Sequence, residues 1–303
     1  MKPTSIVFLI IAVLMIVGGM ITCSVAKDIA LTDNYTLFHE TEDGSTYLRY
    51  DFAAKDISKI ELLITDAEIS VLGGEEASYI EFINFREGLY TLSTSGKVVS
   101  MDEIPDLKSI FSLQSGFSFA GMRYILRSGT LDLGPKKVII HLSTDTELKI
   151  LSVEADNCVL KTENVQYPFD IQIKAEESVS VDAVELRTAC ALDILAAKTE
   201  LNLQRCNFHN IEIRSDAAEI AADHLYWDHF DLHIASGKVQ ITSASLIPAD
   251  TISVTGSGTF ALNGTSMDMP HRAEAAELPT TVFSASIGWA NMTLDMPQET
   301  TES

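Results

Sequence analysis

Leu192-Asp193-Ile194, Ile211-Glu212-Ile213 and Phe230-Asp231-Leu232-His233-Ile234 decide the fold: each places an acidic residue between apolar neighbours, and their acids stand 19 residues apart. Alternation with a period of two sends the apolar side chains to one face of an extended strand and the acid to the other. Working outward, Phe169-Asp170-Ile171-Gln172-Ile173 precedes the set by 23 residues and Ile252-Ser253-Val254 follows it by 22. A second alternating segment trails each copy: Val179-Ser180-Val181, Leu201-Asn202-Leu203, Ile220-Ala221-Ala222, Val239-Gln240-Ile241 and Phe260-Ala261-Leu262, at offsets of 22, 19, 19 and 21. Two registers that drift together predict a unit of about 20 residues that cannot bury its apolar face alone and must stack on its copies. Val184 and Leu186, Cys206 and Phe208, Leu225 and Trp227, then Leu246 follow the second segments and predict a third wall.

The expected fold class is therefore all-β: a right-handed single-stranded β-helix, or β-solenoid, behind an N-terminal transmembrane helix. Lys59-Ile60-Glu61-Leu62 with Glu68-Ile69-Ser70-Val71, and Lys137-Val138-Ile139-Ile140 with Leu148-Lys149-Ile150, read as earlier coils. Between them, Asp102-Glu103-Ile104-Pro105-Asp106-Leu107-Lys108-Ser109-Ile110-Phe111 reads as one short helix in an insertion or cap. A cap is needed because an open end would offer unpaired strand edges and bare apolar rungs.

The chain has 303 residues, 46% of them hydrophobic, enough for a substantial core. Residues 5–22 carry no charge and would span about 27 Å as a helix, nearly a bilayer. Lys2 precedes them, so the positive-inside rule leaves a short cytoplasmic N-terminus and sends the rest outside. The segment reads as an uncleaved anchor, as a signal peptide cut after Ser24-Val25-Ala26, or as a lipoprotein signal ending at Cys23. With the anchor retained, residues 1–4 are cytoplasmic, 5–23 cross the membrane and 24–44 form a linker. Residues 45–135 hold N-terminal β coils with the irregular insertion, 136–269 the solenoid repeats, 270–281 a linker and 282–303 closing strands with an acidic tail. The expected location is a bacterial cell membrane, single-pass, with the bulk extracytoplasmic.

Lys and Arg number 21 against 43 Asp and Glu, a formal charge of -22 that repels phosphate backbones and argues against nucleic acid as a partner. Cys158, Cys190 and Cys206 are an odd set that implies no disulfide framework; they read as buried small hydrophobes, with a Cys190 to Cys206 pair left open.

The turns carry a family resemblance. Ala235-Ser236-Gly237-Lys238-Val239-Gln240-Ile241 and Gly256-Ser257-Gly258-Thr259-Phe260-Ala261-Leu262 each pair a Ser-Gly step with an alternating strand, and 135–150 look like opening strands. In this the chain resembles the bacterial putative-adhesin family of membrane-anchored β-strand repeat proteins, over about residues 45–265. Glu176-Glu177, Lys198-Thr199 and Ala217-Ala218 stand where the other turns would have Ser-Gly. The resemblance implies a cell-envelope location and a surface, adhesion or stress-sensing role, and brings no catalytic residues with it.

Asp170, Asp193, Glu212 and Asp231 are expected to stack outward in consecutive coils as an acidic ladder, open to a cationic peptide, an envelope protein or calcium. Asp223-His224 and Asp228-His229 bracket Leu225-Tyr226-Trp227, but the spacing matches no established metal signature and reads as a polar corner around an aromatic plug. Gly-x-Ser-x-Gly, His-Glu-x-x-His, Gly-x-x-x-x-Gly-Lys and Cys-x-x-Cys are all missing from the sequence. The expectation is a non-catalytic cell-envelope protein without a cofactor, binding through its acidic face in adhesion or envelope-stress sensing. The alternative is a carbohydrate-active β-helix enzyme using wall carboxylates on cell-wall or extracellular glycan.

Overall fold

A computed structural model describes residues 39–40, 46–53, 55–85, 90–103, 136–186, 190–247, 251–272 and 281–297. The expected membrane segment, residues 5–23, lies outside them. So does most of the expected short helix, whose first residues, Asp102 and Glu103, instead end a strand. Among the described residues no helix is long and apolar enough to cross a membrane.

The chain is all-β, with its described strands joined in one large sheet. In the N-terminal part these are β1 (His39–Glu40), β2 (Thr46–Asp51), β3 (Lys59–Leu63), β4 (Asp66–Glu75), β5 (Tyr79–Ile83), β6 (Tyr90–Ser95), β7 (Val98–Glu103) and β8 (Lys137–Ser143). Long strands follow: β9 (Ile150–Glu163), β10 (Asp170–Val184), β11 (Cys190–Gln204), β12 (Phe208–Leu225) and β13 (His229–Ser243). The C-terminal part has β14 (Ile252–Gly256), β15 (Thr259–Leu262), β16 (Thr265–Met267) and β17 (Val282–Asp295). In β10 to β13 the two alternating segments of a repeat are thus halves of one strand, with residues skipped in the pairing between them, as between Lys174 and Ser178 in β10, whereas 252–262 is divided into β14 and β15.

Strands β9 to β13 pair in parallel, each with the next, so that equivalent residues of successive repeats become Cα partners. Ile194 partners Ile213, and Ile213 partners Leu232, all three fully buried. One residue pair away run Leu151, Ile171, Leu192, Ile211 and Phe230. Across the bend, Leu160, Val181, Leu201, Ile220 and Val239 form a second buried column. Neighbouring strands lie about 4.8 Å apart, so each apolar side chain is packed above and below by its own equivalents. Of the residues expected to form a third wall, Leu186, Cys206, Phe208, Leu225 and Trp227 are buried, whereas Val184 is half-buried, Leu246 is 52% exposed and Ile247 is buried instead.

Chain order and stacking order part company at both ends. After β13 the next strand in the stack is β17, which pairs with β13 on one side and with β14 and β15 on the other. Segment 252–262, expected as the fifth copy directly after 230–241, therefore sits one rung further out. The N-terminal end mirrors this: β3 pairs with β9 and β7, and β4 with β9 and β8, so β3 and β4 lie inside strands that follow them in sequence. Antiparallel pairs then finish the ends, β8 with β5, β5 with β2 and β7 with β6 on one side, and β15 with β16 on the other.

Two backbone features shape the corners. Asn164, Glu185, Arg205 and His224 all have positive φ, between 53° and 55°, and each follows one of the in-register residues Glu163, Val184, Gln204 and Asp223. A left-handed non-glycine residue costs roughly 1 kcal/mol, offset here by the bonds from Glu185 N–H to Gln204 O and Arg205 N–H to Asp223 O, 2.9 and 2.8 Å. The Ser-Gly corner has a stricter demand. Gly237, φ 139°, passes so close to the next rung that a Cβ would stand 1.8 Å from the Ala218 carbonyl oxygen. Gly237→Ala should therefore lower unfolding free energy by about 3 kcal/mol or more. Gly264→Ala, at a positive φ but in open space, should cost only about 1 kcal/mol by denaturant titration.

Candidate functional site

The acidic ladder forms in shortened form. Asp193 partners Glu212 and Glu212 partners Asp231, on the outward side of the Ile194, Ile213 and Leu232 column. Below Asp193 the rung position is Gln172, and above Asp231 it is Ser284. Asp170 lies outside the ladder. The register from β10 to β11 is 21 residues, Gln172 to Asp193, so Phe169-Asp170-Ile171 repeats the local pattern two residues early. Asp170 belongs to the strand's entry, where its Oδ1 accepts the N–H of Ala191 at 3.0 Å.

Carboxylates about 4.8 Å apart repel by roughly 0.9 kcal/mol in water. Two of the three have a polar neighbour two residues along their own strand: the Arg214 guanidinium pairs with Glu212, and His233 Nε2 lies 3.2 Å from Asp231 Oδ2, adding a positive charge only when protonated. At the equivalent position beside Asp193 stands Leu195, 48% exposed. Loss of hydration and then the charge of Glu212 hold the Asp193 carboxyl above its usual range, and Arg214 opposes them. The column can present charge to a cationic surface, but its carboxylates point side by side instead of converging. Among the described residues no group of three or more His, Cys, Asp or Glu is placed to hold a metal ion.

The other candidates are structural. His224 Nδ1 lies 2.9 Å from Asp223 Oδ1, and Trp227 is buried with its ring centroid 5.5 Å from Phe230 and 6.0 Å from Phe283. Cys158, Cys190 and Cys206 are buried and unbridged. Burial pushes all three thiols up, Cys158 to about 12, far from the thiolate a nucleophile needs.

One surface feature escaped the sequence reading. Where the long strands bend, a groove of about 750 Å³ crosses β10 to β13, β17 and β14 at right angles. Its side is the column Leu195, Arg214, His233 and Ser286. Its floor includes Ala197, Asp216, Ala235 and Gly288, each skipped between paired residues. Trp289, next to Gly288, is 83% exposed. The signal was a phase slip: Phe283, Ala285 and Ile287 are buried, then Ala290, Met292 and Leu294, leaving Trp289 outside.

Solved structures of similar shape are distant. A putative adhesin from Bacteroides fragilis is 12% identical with a TM-score of 0.32, covering 82% of this chain and 96% of that one. A putative cell adhesion protein from Clostridium sporogenes is 12% identical, TM-score 0.30, covering 84% and 100%. A putative lipid binding protein from Parabacteroides distasonis is 11% identical, TM-score 0.31, covering 83% and 97%. Such values are too low to carry a fold or a ligand across. No family model matches the chain, and neither does any curated protein.

The sign of the Asp193 shift makes a prediction. A carboxyl raised above its unfolded value binds its proton more tightly in the fold, so its charge destabilises the fold above the carboxylate range and that penalty fades as pH falls through it. Asp193→Asn should raise the melting temperature at pH 7 and lose this advantage near pH 3. Glu103 has the opposite sign. Burial would raise it, but the Thr65 N–H and hydroxyl, each 2.7 Å from Oε2, and the Lys136 ammonium, 3.2 Å from Oε1, outweigh burial and hold it low. Glu103→Gln should destabilise at pH 7 by about 1–2 kcal/mol and converge with the parent as pH falls through the carboxylate range.

Proposed function

We propose that this chain is a non-catalytic right-handed β-solenoid of a bacterial cell envelope, anchored by residues 5–23, that binds a cationic partner through its outer acidic column in adhesion or envelope-stress sensing. The observation that carries the reading is the in-register column Asp193, Glu212, Asp231 on a rigid strand face. Side chains fixed at strand spacing lose little freedom on binding, which favours recognition of an extended charged surface. Glycan cleavage would need two carboxyl groups facing each other across a bound sugar. The column sets its carboxylates beside one another along one face. The charge of -22 adds long-range attraction for a basic envelope protein or peptide.

Decalysine is a suitable probe. It should bind the full-length protein with an affinity that falls as salt rises. Replacing the column together, as Asp193→Asn, Glu212→Gln and Asp231→Asn, should weaken it about tenfold, since three exposed pairs at about 0.5 kcal/mol each sum to that factor. Neutralising Glu163, Glu200 and Glu219, away from the column, should weaken it far less. Equal losses from the two sets would mean that total charge, and not this column, attracts the peptide.

A further inference from the structure

The acidic column is not fully open, because its middle carboxylate already carries a cation. Arg214, two residues after Glu212 on β12, pairs its guanidinium with that carboxylate. Glu212 stands between Asp193 and Asp231, so a partner lying along the column must share it with Arg214. The same position on the flanking rungs holds no permanent charge: it is Leu195 beside Asp193 and His233 beside Asp231. Two rungs below Arg214 the position is Lys174, but its ammonium bonds Glu154 on the neighbouring strand at 2.6 Å, at a level where the column position is the neutral Gln172.

The influence of Arg214 reaches beyond its own pair. Lost hydration and Glu212 hold the Asp193 carboxyl above its usual range, and Arg214 acts on it in the opposite sense. A second cation set on Glu212 would lie beside the guanidinium and be repelled by it. Yet the contact is easily given up: 60% of the Arg214 side chain is in solvent, and an exposed ion pair of this kind adds little to the fold. Another carboxylate stands on its far side. Asp216, two residues further along β12, lies in the floor of the bend groove whose side Arg214 lines. Ser236 Oγ donates to the Asp216 carbonyl at 3.2 Å and holds that backbone in place, while among the described residues no side chain pairs with the Asp216 carboxylate.

We propose that Arg214 is a built-in competitor of the cationic partner, resting on Glu212 while the column is empty and moving to Asp216 when the partner takes Glu212. This rests on the reading of the column as the partner's site and adds how that site is regulated. Decalysine binding to the full-length protein in detergent tests it, measured for the parent, Arg214→Gln, Asp216→Asn and the double variant. Lys238→Gln, which removes one positive charge beyond the bend, is the control. Arg214→Gln should strengthen binding about two- to threefold, and Lys238→Gln by clearly less. Asp216→Asn should weaken binding in the parent and change it little in the Arg214→Gln background, since without the guanidinium there is nothing for the aspartate to receive. Equal gains from Arg214→Gln and Lys238→Gln, or a loss from Asp216→Asn of the same size in both backgrounds, would overturn the proposal and leave total charge as the cause. The column reading is judged apart. If the triple column variant binds decalysine as well as the parent, that reading fails and the competitor with it; if the triple variant binds weakly while Arg214→Gln gains no more than Lys238→Gln, the competitor alone fails.

Discussion

Everything in this molecule depends on the parallel, in-register pairing of one repeat with the next. A single repeat exposes half of its side chains as apolar surface and all of its backbone edges, and neither is tolerable in water alone. Pairing in register solves both at once. Along the paired stretches the backbone groups find partners in the neighbouring rungs, and inward side chains land on their equivalents, as Ile213 does between Ile194 and Leu232. A slip of one residue would turn every inward chain outward, so the hydrophobic pattern itself enforces the register.

The same constraint creates a difficulty at each end, where the last rung has no successor. The chain answers it by threading out of order. Strands β3 and β4 enter between the long stack and β7 and β8, while β17 enters between β13 and the pair β14 and β15. The final rungs are thereby tied to the stack by strands distant in sequence, and antiparallel pairs cover their outer sides. His271 continues this cover, exchanging backbone bonds of 2.7 and 2.9 Å with Val254. Aromatic packing reinforces the join: the rings of Phe230 and Phe283, from strands β13 and β17, have centroids 5.1 Å apart.

The central strands were legible in the sequence because alternation with a fixed 19-residue step leaves few alternative pairings for Asp193, Glu212 and Asp231. Asp170 was misplaced because a local pattern does not encode corner length: the β10 repeat carries Glu176 and Glu177 at its bend where the next carries Ala197 alone. The threading of β17 was hidden for a related reason. Ile252-Ser253-Val254 and Phe283-Ser284-Ala285 are equally good rungs, and alternation says nothing of which docks first on β13. The left-handed corners at Glu185, Arg205 and His224 left no signal, because glycine or asparagine usually marks that conformation and here only Asn164 does. The groove followed from the bend, which short motifs treated as a turn between two strands.

The outward surfaces inherit their order from the inward ones. A column of like residues exists on the outside only because the inside holds the register, and the bend groove runs straight because each repeat bends at the same place. The most direct test is therefore of the interior. Methyl-labelled protein should give nuclear Overhauser contacts from Ile213 to both Ile194 and Leu232, and from Val239 to Met292 across the out-of-order join. Ile213 lacking either neighbour, or Val239 lacking the Met292 contact, would contradict the stacking described for this chain.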